Sequence, residues 1–359
     1  MSWTSCVSAA YLALCLSACH RIEPLTEQEH TTVTELTARL KPRCVGRFLI
    51  DMPEDALSVG RTKLQGVTVE ARKMSQDEYR TAMVGLSKKL NATKSSEGFR
   101  FVYADGEIEG IKGSRYFISL GDADAMTDAE RLIEAYTWDL GYQIALRISA
   151  SDARNSTYFK NVPSVRDDPA MTDTPARTRL VFSLLGRIRG REDDEIPTEP
   201  GICFMGGFLP SKATAQETVS ASFLLHDKHD VGFRVDTDSD IHESDTLLQR
   251  TDMDAAIKAS DGGTIRKGQI ELQGIQQAEE WLSDGLTGAK VRGHYFVLEA
   301  NSKIGSAATP LVRLDMDNGG RLPRIDGDRQ LTQASLTEGE AVALWDAVSR
   351  SLRPRPNAF

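Results

Sequence analysis

Apolar and polar positions alternate with a period of two in many short segments, the pattern expected of half-buried β-strands. The alternation is clearest at 66–72. Further strands are predicted at 44–51, 99–104, 107–120, 133–148, 201–210, 218–226, 231–235, 265–282, 291–300 and 311–315. Turns are predicted at 105–106 and at 139–141, where Asp and Gly residues interrupt the apolar runs.

Helical periodicity separates these groups of strands. A helix is predicted from Ser75 to about residue 90, because Glu78 stands three positions after Ser75 and completes a capping box. Other helices are predicted at 33–40, 176–189, 245–259 and 337–352. The last of these is amphipathic, with one apolar face made of Ala341, Leu344, Trp345, Val348 and Leu352.

Strands interrupted by helices without regular β–α–β alternation predict an α+β fold with mainly antiparallel sheets flanked by helices. A chain of 359 residues exceeds one typical domain, so two are predicted, 33–155 and 176–359, with a polar, proline-bearing linker at 156–175. The halves resemble each other: Cys44 and Cys203 each lie in a strand that ends at proline. The hypothesis is a diverged duplication.

The first 18 residues are interpreted as an export signal. The apolar segment 7–16 is too short to span a bilayer, which takes about 20 residues, but it fits a secretory signal. It ends in the sequence LSAC at 16–19, which looks like a bacterial lipobox. Cys19 is therefore predicted to carry a lipid anchor, with 19–32 as a tether. The usual basic residues before the apolar segment are missing, so an ordinary cleaved signal and a buried N-terminal helix remain alternatives.

The net charge of the chain limits the kinds of partner that it can bind. The net charge of −9 disfavours binding to nucleic acid or to anionic lipid, so contact with a membrane is predicted through the lipid anchor alone. Export places the protein in the periplasm. His20, rather than Asp, follows the lipidated cysteine, which favours the outer membrane over the inner one.

The five cysteines divide into two groups. Cys6 and Cys15 leave with the signal, and Cys19 takes the lipid. Cys44 and Cys203 remain as an even pair in an oxidising compartment. A disulfide between them would close a loop of about 160 residues and stabilise the fold by about 4–5 kcal/mol. Two separately buried thiols are the alternative, and spacing alone does not decide between them.

Motifs for catalysis or for cofactors are missing from the sequence. There is no nucleophile elbow, Walker loop or dinucleotide fingerprint. His226 and His229 are the best metal candidates, but no third ligand has a suitable spacing, and a polar hairpin tip explains them better. The prediction is a protein that is not an enzyme, with no catalytic, metal-binding or cofactor-binding residues and no cofactor.

An acidic segment follows the strand at 231–235. It begins like a calcium loop, but Ile241 and Leu247 occupy the positions that need glycine and glutamate. We interpret it as a solvated acidic loop.

Four segments, taken in order with the export signal, carry a family resemblance. They are CVGRFLIDMP at 44–53, GIC at 201–203, GHYF at 293–296, and LWD at 344–346 followed by LRP at 352–354. The chain resembles periplasmic immunity proteins that neutralise phospholipase effectors of the type VI secretion system. The resemblance implies a two-domain, claw-shaped α+β protein that grips a secreted phospholipase and blocks its serine site. For such a protein, the acidic segment 236–243 is expected to contact the effector, with the candidate interface residues Asp236, Asp238, Asp240, His242 and Glu243. The alternatives are a structural or assembly lipoprotein of the envelope and an unrecognised envelope hydrolase.

Overall fold

The computed structural model describes residues 24–322, 326 and 330–359. The predicted export signal and Cys19 lie outside the described residues. The first half of the described chain contains α1 (Glu27–Thr37), β1 (Leu40–Val45), β2 (Phe48–Pro53), β3 (Leu57–Leu64), β4 (Val67–Lys73), α2 (Gln76–Ala92), β5 (Val102–Gly106), β6 (Arg115–Ser119), β7 (Glu130–Asp139), β8 (Tyr142–Ser151), α3 (Pro163–Arg166), α4 (Thr174–Leu185) and β9 (Arg189–Gly190).

The second half repeats this order of elements. It contains β10 (Gly201–Phe204), β11 (Gly207–Pro210), β12 (Glu217–Leu225), β13 (Lys228–Asp238), α5 (Thr251–Ala259), β14 (Thr264–Leu272), β15 (Ile275–Leu286), β16 (Arg292–Ala300), β17 (Leu311–Asn318), α6 (Glu338–Ser349) and β18 (Arg353–Pro354). The predicted α+β class with mainly antiparallel sheets is confirmed.

One antiparallel sheet of twelve strands runs through both halves. Its order is β14-β15-β16-β17-β13-β12-β3-β4-β8-β7-β6-β5. Outward from the β12–β3 pair in the middle, the second half contributes β12, β13, β17, β16, β15 and β14. The first half contributes β3, β4, β8, β7, β6 and β5 in the corresponding places. This strand-by-strand correspondence is what duplication of one ancestral unit predicts.

The two faces of the sheet are covered differently. One face packs against α4, α6 and the hairpins, and it forms the main hydrophobic core. On the other face, α2 buries Tyr79 and Met83 against β6 and β7. At the opposite end of that face, α5 buries Ile257 against Trp281 and Val297. Burial of apolar side chains on both sides therefore stabilises the two ends of the sheet.

Short strands are exchanged between the halves. The strand β9 follows α4 of the first half and pairs with β11 of the second. The strand β18 follows α6 of the second half and pairs with β2 of the first. The two hairpins also meet directly, through a bridge between Gly46 and Cys203. A disulfide joins Cys44 to Cys203 across a sequence separation of 159 residues.

Two segments predicted as single strands, 44–51 and 201–210, are instead tight hairpins. The chain reverses at Gly46 and Gly206, whose φ angles are +58° and +73°. Glycine adopts this left-handed conformation without the steric penalty that a Cβ would bring. The turn predicted at 105–106 was also wrong, because β5 continues to Gly106 and a loop separates it from β6.

Helix α1 begins earlier than predicted. Thr26 and Glu29 form a capping box, so the helix starts at Glu27 rather than at residue 33. Residues 27–32, predicted as part of the tether, are therefore helical. The capping box predicted at Ser75 and Glu78 is confirmed at the start of α2.

The packing of α4 bears on the predicted domain boundary. Val181 and Leu184 of α4 are buried, and the helix contacts β7 and β8. In the same way α6 contacts β16 and β17. The structure thus places α4 with the first half, whereas the sequence pattern assigned it to the domain 176–359. Part of the predicted linker 156–175 is ordered as α3.

Asp128 holds the start of that linker in place. Its carboxylate accepts hydrogen bonds from the Ser156 hydroxyl, from Thr157 N at 2.6 Å and Oγ1 at 2.5 Å, and from Tyr158 N at 3.0 Å. Burial alone would raise the pKa of Asp128, but these hydrogen bonds to the ionised form lower it to about 2.

We expect this depressed pKa to appear in the pH dependence of stability. The contribution of Asp128, about 2 kcal/mol, is complete above its unfolded pKa of about 4 and is lost as the pH falls towards 2. Asp128→Asn should lower the free energy of unfolding at pH 7 by that amount. At pH 2.5 the difference in free energy of unfolding between this variant and wild type should be smaller. Urea unfolding at several pH values measures this, with exposed Asp55→Asn as control. A constant difference at every pH would contradict the expectation.

Candidate functional site

The central strands β4, β3, β12 and β13 carry a surface that neither α2 nor α5 covers. Its side chains lie on the same face as those two helices, and Val59 at its centre is 65% exposed. Cross-strand pairs place Val59 opposite Ser222 and Arg61 opposite Ser220. We call this surface the open sheet face. It consists of Val59, Arg61, Lys63, Thr68, Glu70, Arg72, Ser220, Ser222, Arg234 and Asp236.

The middle of the open sheet face is basic although the whole chain is acidic. Arg61, Lys63 and Arg72 are exposed and form no ion pair within the described residues. Arg234 pairs with Asp236, with Nε 2.7 Å from Oδ2. A depression of about 390 Å³ lies between β3 and β12, beside Arg61 and Arg234. The surface therefore offers exposed cations around a shallow, hydroxyl-lined hollow.

The predicted interface loop 236–243 is only partly a loop. The strand β13 extends to Asp238, because inward-facing Val235 and Thr237 continue its alternation. Asp236 lies on the open sheet face. Asp238 is buried and accepts a hydrogen bond from Thr218 Oγ1 at 2.7 Å, so it stabilises the β12–β13 pair instead of presenting a charge to a partner.

The remaining predicted interface residues follow β13 in a true loop. Asp240 and His242 are exposed, and Glu243 lies 3.9 Å from Arg250. Their role in an interface stays a prediction. The residues that sequence reasoning missed are Val59, Arg61 and Lys63, because β3 was not predicted as a strand; its alternation is weak and Gly60 interrupts it.

The histidine pair considered as a metal site lies at the β12–β13 turn. His226 Nδ1 is 2.8 Å from Asp227 Oδ1, and His229 Nδ1 is 3.0 Å from Asp326 Oδ2. Within residues 24–322, 326 and 330–359, no group of three or more His, Cys, Asp or Glu side chains could hold a metal ion. Over the same residues, no helix is both long and apolar enough to cross a membrane.

His294 is a packing residue in this structure. Its side chain is half-buried in β16, where Nδ1 lies 2.8 Å from the Asn318 side-chain amide. Desolvation lowers the pKa of His294, so the imidazole is neutral at pH 7. Its ring lies beside Phe296, which contacts Trp345 of α6 edge-on at 5.8 Å. Two of the segments that carried the family resemblance thus meet in the core.

Buried arginines organise the region where the hairpins meet. Arg47, Arg191 and Arg355 are each at most 2% exposed, and each donates to backbone carbonyls of neighbouring segments. Desolvation, followed by the nearby guanidinium groups of Arg47 and Arg191, lowers the pKa of Arg355 to about 10. These cations are enclosed by the fold and do not form part of the open sheet face.

Comparison with known families accounts for both halves of the chain. A model of the N-terminal domain of Tle cognate immunity protein 4 matches residues 41–191, and a model of the C-terminal domain matches 195–357. The fold and these matches define a two-domain immunity protein of the type VI secretion system. The chain belongs to the Tle cognate immunity protein 4 family. The two models meet just after α4, in agreement with the packing of that helix.

Solved structures share the fold. The match to a chain in the crystal structure of a Tle4–Tli4 complex has a TM-score of 0.69 at 20% identity, covering 90% of this chain and 99% of that one. The match to the apo immunity protein TplEi of the type VI secretion system of Pseudomonas aeruginosa has a TM-score of 0.67 at 21% identity, covering 89% of this chain and 98% of that one. TplEi in complex with an "L" peptide gives 0.61 at 21% identity, covering 88% and 98%. A search of curated proteins found no match.

Proposed function

We propose that this protein is a periplasmic lipoprotein that binds a type VI secreted phospholipase effector and blocks it, protecting the cell that produces both. Membership of the immunity family over both halves of the chain is the observation that carries this proposal. Blocking requires a complementary surface and no chemistry of its own. The protein therefore acts as a stoichiometric inhibitor and not as an enzyme.

The open sheet face is the surface we assign to the effector. It spans strands of both halves, and α2 and α5 flank it at the two ends of the sheet. Backbone positions there are fixed by sheet pairing on both sides, so a partner meets a preorganised surface and little ordering entropy is lost. The exposed cations Arg61, Lys63 and Arg72 favour an acidic segment of the effector at this place.

Two features support the proposed location. The sequence at 16–19 looks like a lipobox, which would leave lipid on Cys19. The disulfide between Cys44 and Cys203 suits an oxidising compartment such as the periplasm. Two or more acyl chains hold a protein stably at a membrane, where a phospholipase would meet its substrate. The outer membrane is the proposed site of attachment, because His20 follows Cys19.

The test is a titration with the type VI secreted phospholipase that the protein is proposed to block. The protein, produced from its full-length gene and extracted from membranes, is added to the purified phospholipase, and binding and phospholipid hydrolysis are recorded together. We expect hydrolysis to fall to zero at one equivalent. An active phospholipase that neither binds nor loses activity would refute the proposal.

The same assay locates the interface. Arg61→Glu places a negative charge at the centre of the open sheet face, and we expect it to weaken binding about 100-fold, since like-charge contacts cost several kcal/mol. Its thermal unfolding should match wild type, because the side chain is exposed. Lys160→Glu, an equal charge reversal in the exposed loop before α3, serves as control. Equal losses for both variants would show that net charge, and not the open sheet face, governs binding.

A further inference from the structure

A second concavity borders the open sheet face, on the same side of the sheet. It has a volume of about 420 Å³ and lies between α5 and the strands β15, β16 and β17. Met253 and Ile257 of α5 form an apolar wall, and Tyr295 of β16 lies against them. The polar groups of the lining include Asp284, His294, Asp317 and Arg321.

Asp317 connects this cavity to the open sheet face. It is the cross-strand neighbour of Tyr295 on one side and of Gly232 in β13 on the other. Gly232 has no side chain, and Leu224 of β12 occupies the space beside it. A partner that lies across β13 and contacts Leu224 could extend a side chain into the cavity.

The acidic side chains around this cavity differ in their partners. Asp284 accepts a hydrogen bond from Gly263 N at 2.6 Å and lies 3.5 Å from Arg292. Asp315 is paired with Arg313, with Nε 2.8 Å from Oδ1, and accepts a hydrogen bond from the Tyr295 hydroxyl at 3.1 Å. Asp317, by contrast, has no hydrogen bond or ion pair from its carboxylate in the part of the chain that the structure describes.

Asp317 is exposed to solvent, and neighbouring groups also act on its carboxylate. Desolvation by the surrounding walls, with repulsion from Asp315, raises the pKa of Asp317 to about 6. The other ionisable groups of the lining do not neutralise the Asp317 carboxylate. His294 is neutral for the reason given above. Arg321 donates from Nε to the Gly288 carbonyl at 3.0 Å and forms no ion pair with Asp317.

We propose that this cavity receives a lysine or arginine side chain of the phospholipase effector. The cationic head pairs with Asp317, and the methylene stem packs against Tyr295 and Ile257. A charged head with an apolar stem matches a carboxylate set beside an apolar wall, and a charge-assisted hydrogen bond in a half-desolvated site is stronger than one at an open surface. This inference rests on the proposed function. It adds the cavity to the open sheet face as a second anchor, that is, a second contact site for the effector.

The two anchors together would fix the orientation of the effector. The open sheet face favours an acidic contact, and the cavity beside it favours a basic one. Opposite charge preferences at neighbouring positions reject a partner docked in the reverse direction, because like charges would then meet. The arrangement is therefore a source of specificity as well as of affinity.

The first test is Asp317→Asn, which removes the charge and keeps the shape. We expect its Kd for the effector to rise at least 10-fold. Its thermal unfolding midpoint should equal or exceed that of wild type, because the raised pKa means that the ionised Asp317 carboxylate destabilises the fold at pH 7. Glu271→Gln, which removes an exposed charge from the edge strand β14, should bind like wild type. In double-mutant cycles against effector variants with single Lys→Met or Arg→Met substitutions, one effector residue should lose its effect in the Asp317→Asn background. Wild-type affinity of Asp317→Asn would overturn the inference and leave the proposed function standing.

A second measurement separates the two proposals if wild type does not bind the effector at all. That result refutes the proposed function. The cavity is then tested by titrating the protein with N-acetyl-lysine methylamide and recording NMR spectra of the side-chain carboxyl carbons. The cavity binds a cation if the Asp317 signal shifts saturably with this probe and does not shift with N-acetyl-norleucine methylamide. No shift at millimolar probe refutes it.

Discussion

The double variant Cys44→Ala/Cys203→Ala is expected to unfold with a free energy about 5 kcal/mol below that of wild type. The disulfide spans 159 residues, and in the chain-entropy model closing so long a loop restricts the unfolded chain by about that amount. Both sulfurs are buried in a small cluster with Leu49 and Phe208, so alanine also leaves unfilled space. Guanidinium unfolding at pH 7 without reductant gives the value.

Reduction provides the control for this experiment. In excess dithiothreitol, the unfolding midpoint of wild type should move towards that of the double variant. The midpoint of the variant should not change with the reductant. The outcome that would contradict the expectation is a variant with the wild-type midpoint. In that case the exchanged strands alone would hold the hairpins together.

Arg47→Met is expected to lower the free energy of unfolding by about 3–5 kcal/mol, the range seen when one partner of a buried ion pair is removed. Arg47 donates from Nε and Nη2 to the two carboxylate oxygens of Glu217, each at 2.9 Å. It also donates to the carbonyls of Ser211, Lys212 and Ala358. Methionine fills similar space but leaves the buried Glu217 carboxylate without its cation.

A matched control uses the same substitution at the surface. The Arg39 side chain is 75% exposed and lies 3.5 Å from Glu54, so Arg39→Met should change stability by less than about 1 kcal/mol. In a double-mutant cycle, Arg47→Met/Glu217→Gln should lose less than the sum of the single variants, since the uncompensated charge is gone. Strict additivity would show that the carbonyl contacts, and not the ion pair, account for the loss.

Local features of this fold could be predicted from the sequence. Ser75 and Glu78 identified the start of α2, because a capping box involves residues only three positions apart. Alternation at 66–72 located β4, and the turn at 139–141 separated β7 from β8. The hairpins at 44–51 and 201–210 were missed, because a glycine between apolar residues does not reveal its φ angle.

Long-range features could not be predicted in this way. Pairing of β3 with β12 joins segments more than about 150 residues apart, and no local pattern encodes it. The cysteine spacing left a disulfide and two free thiols equally open. The acidic segment 236–243 attracted attention by its composition, whereas Arg61 and Lys63 resemble any solvated strand face. Only the three-dimensional arrangement of α2 and α5 shows that this part of the sheet stays open.

The exchange of β9 and β18 sets an order of events during biogenesis. The strand β2 pairs with β1 on one side and with β18 of the second half on the other. The first half therefore cannot complete its hydrogen bonding until β18, a strand of the second half, has been synthesised. Folding of the first half alone stays incomplete, because one edge of β2 has no partner strand until then.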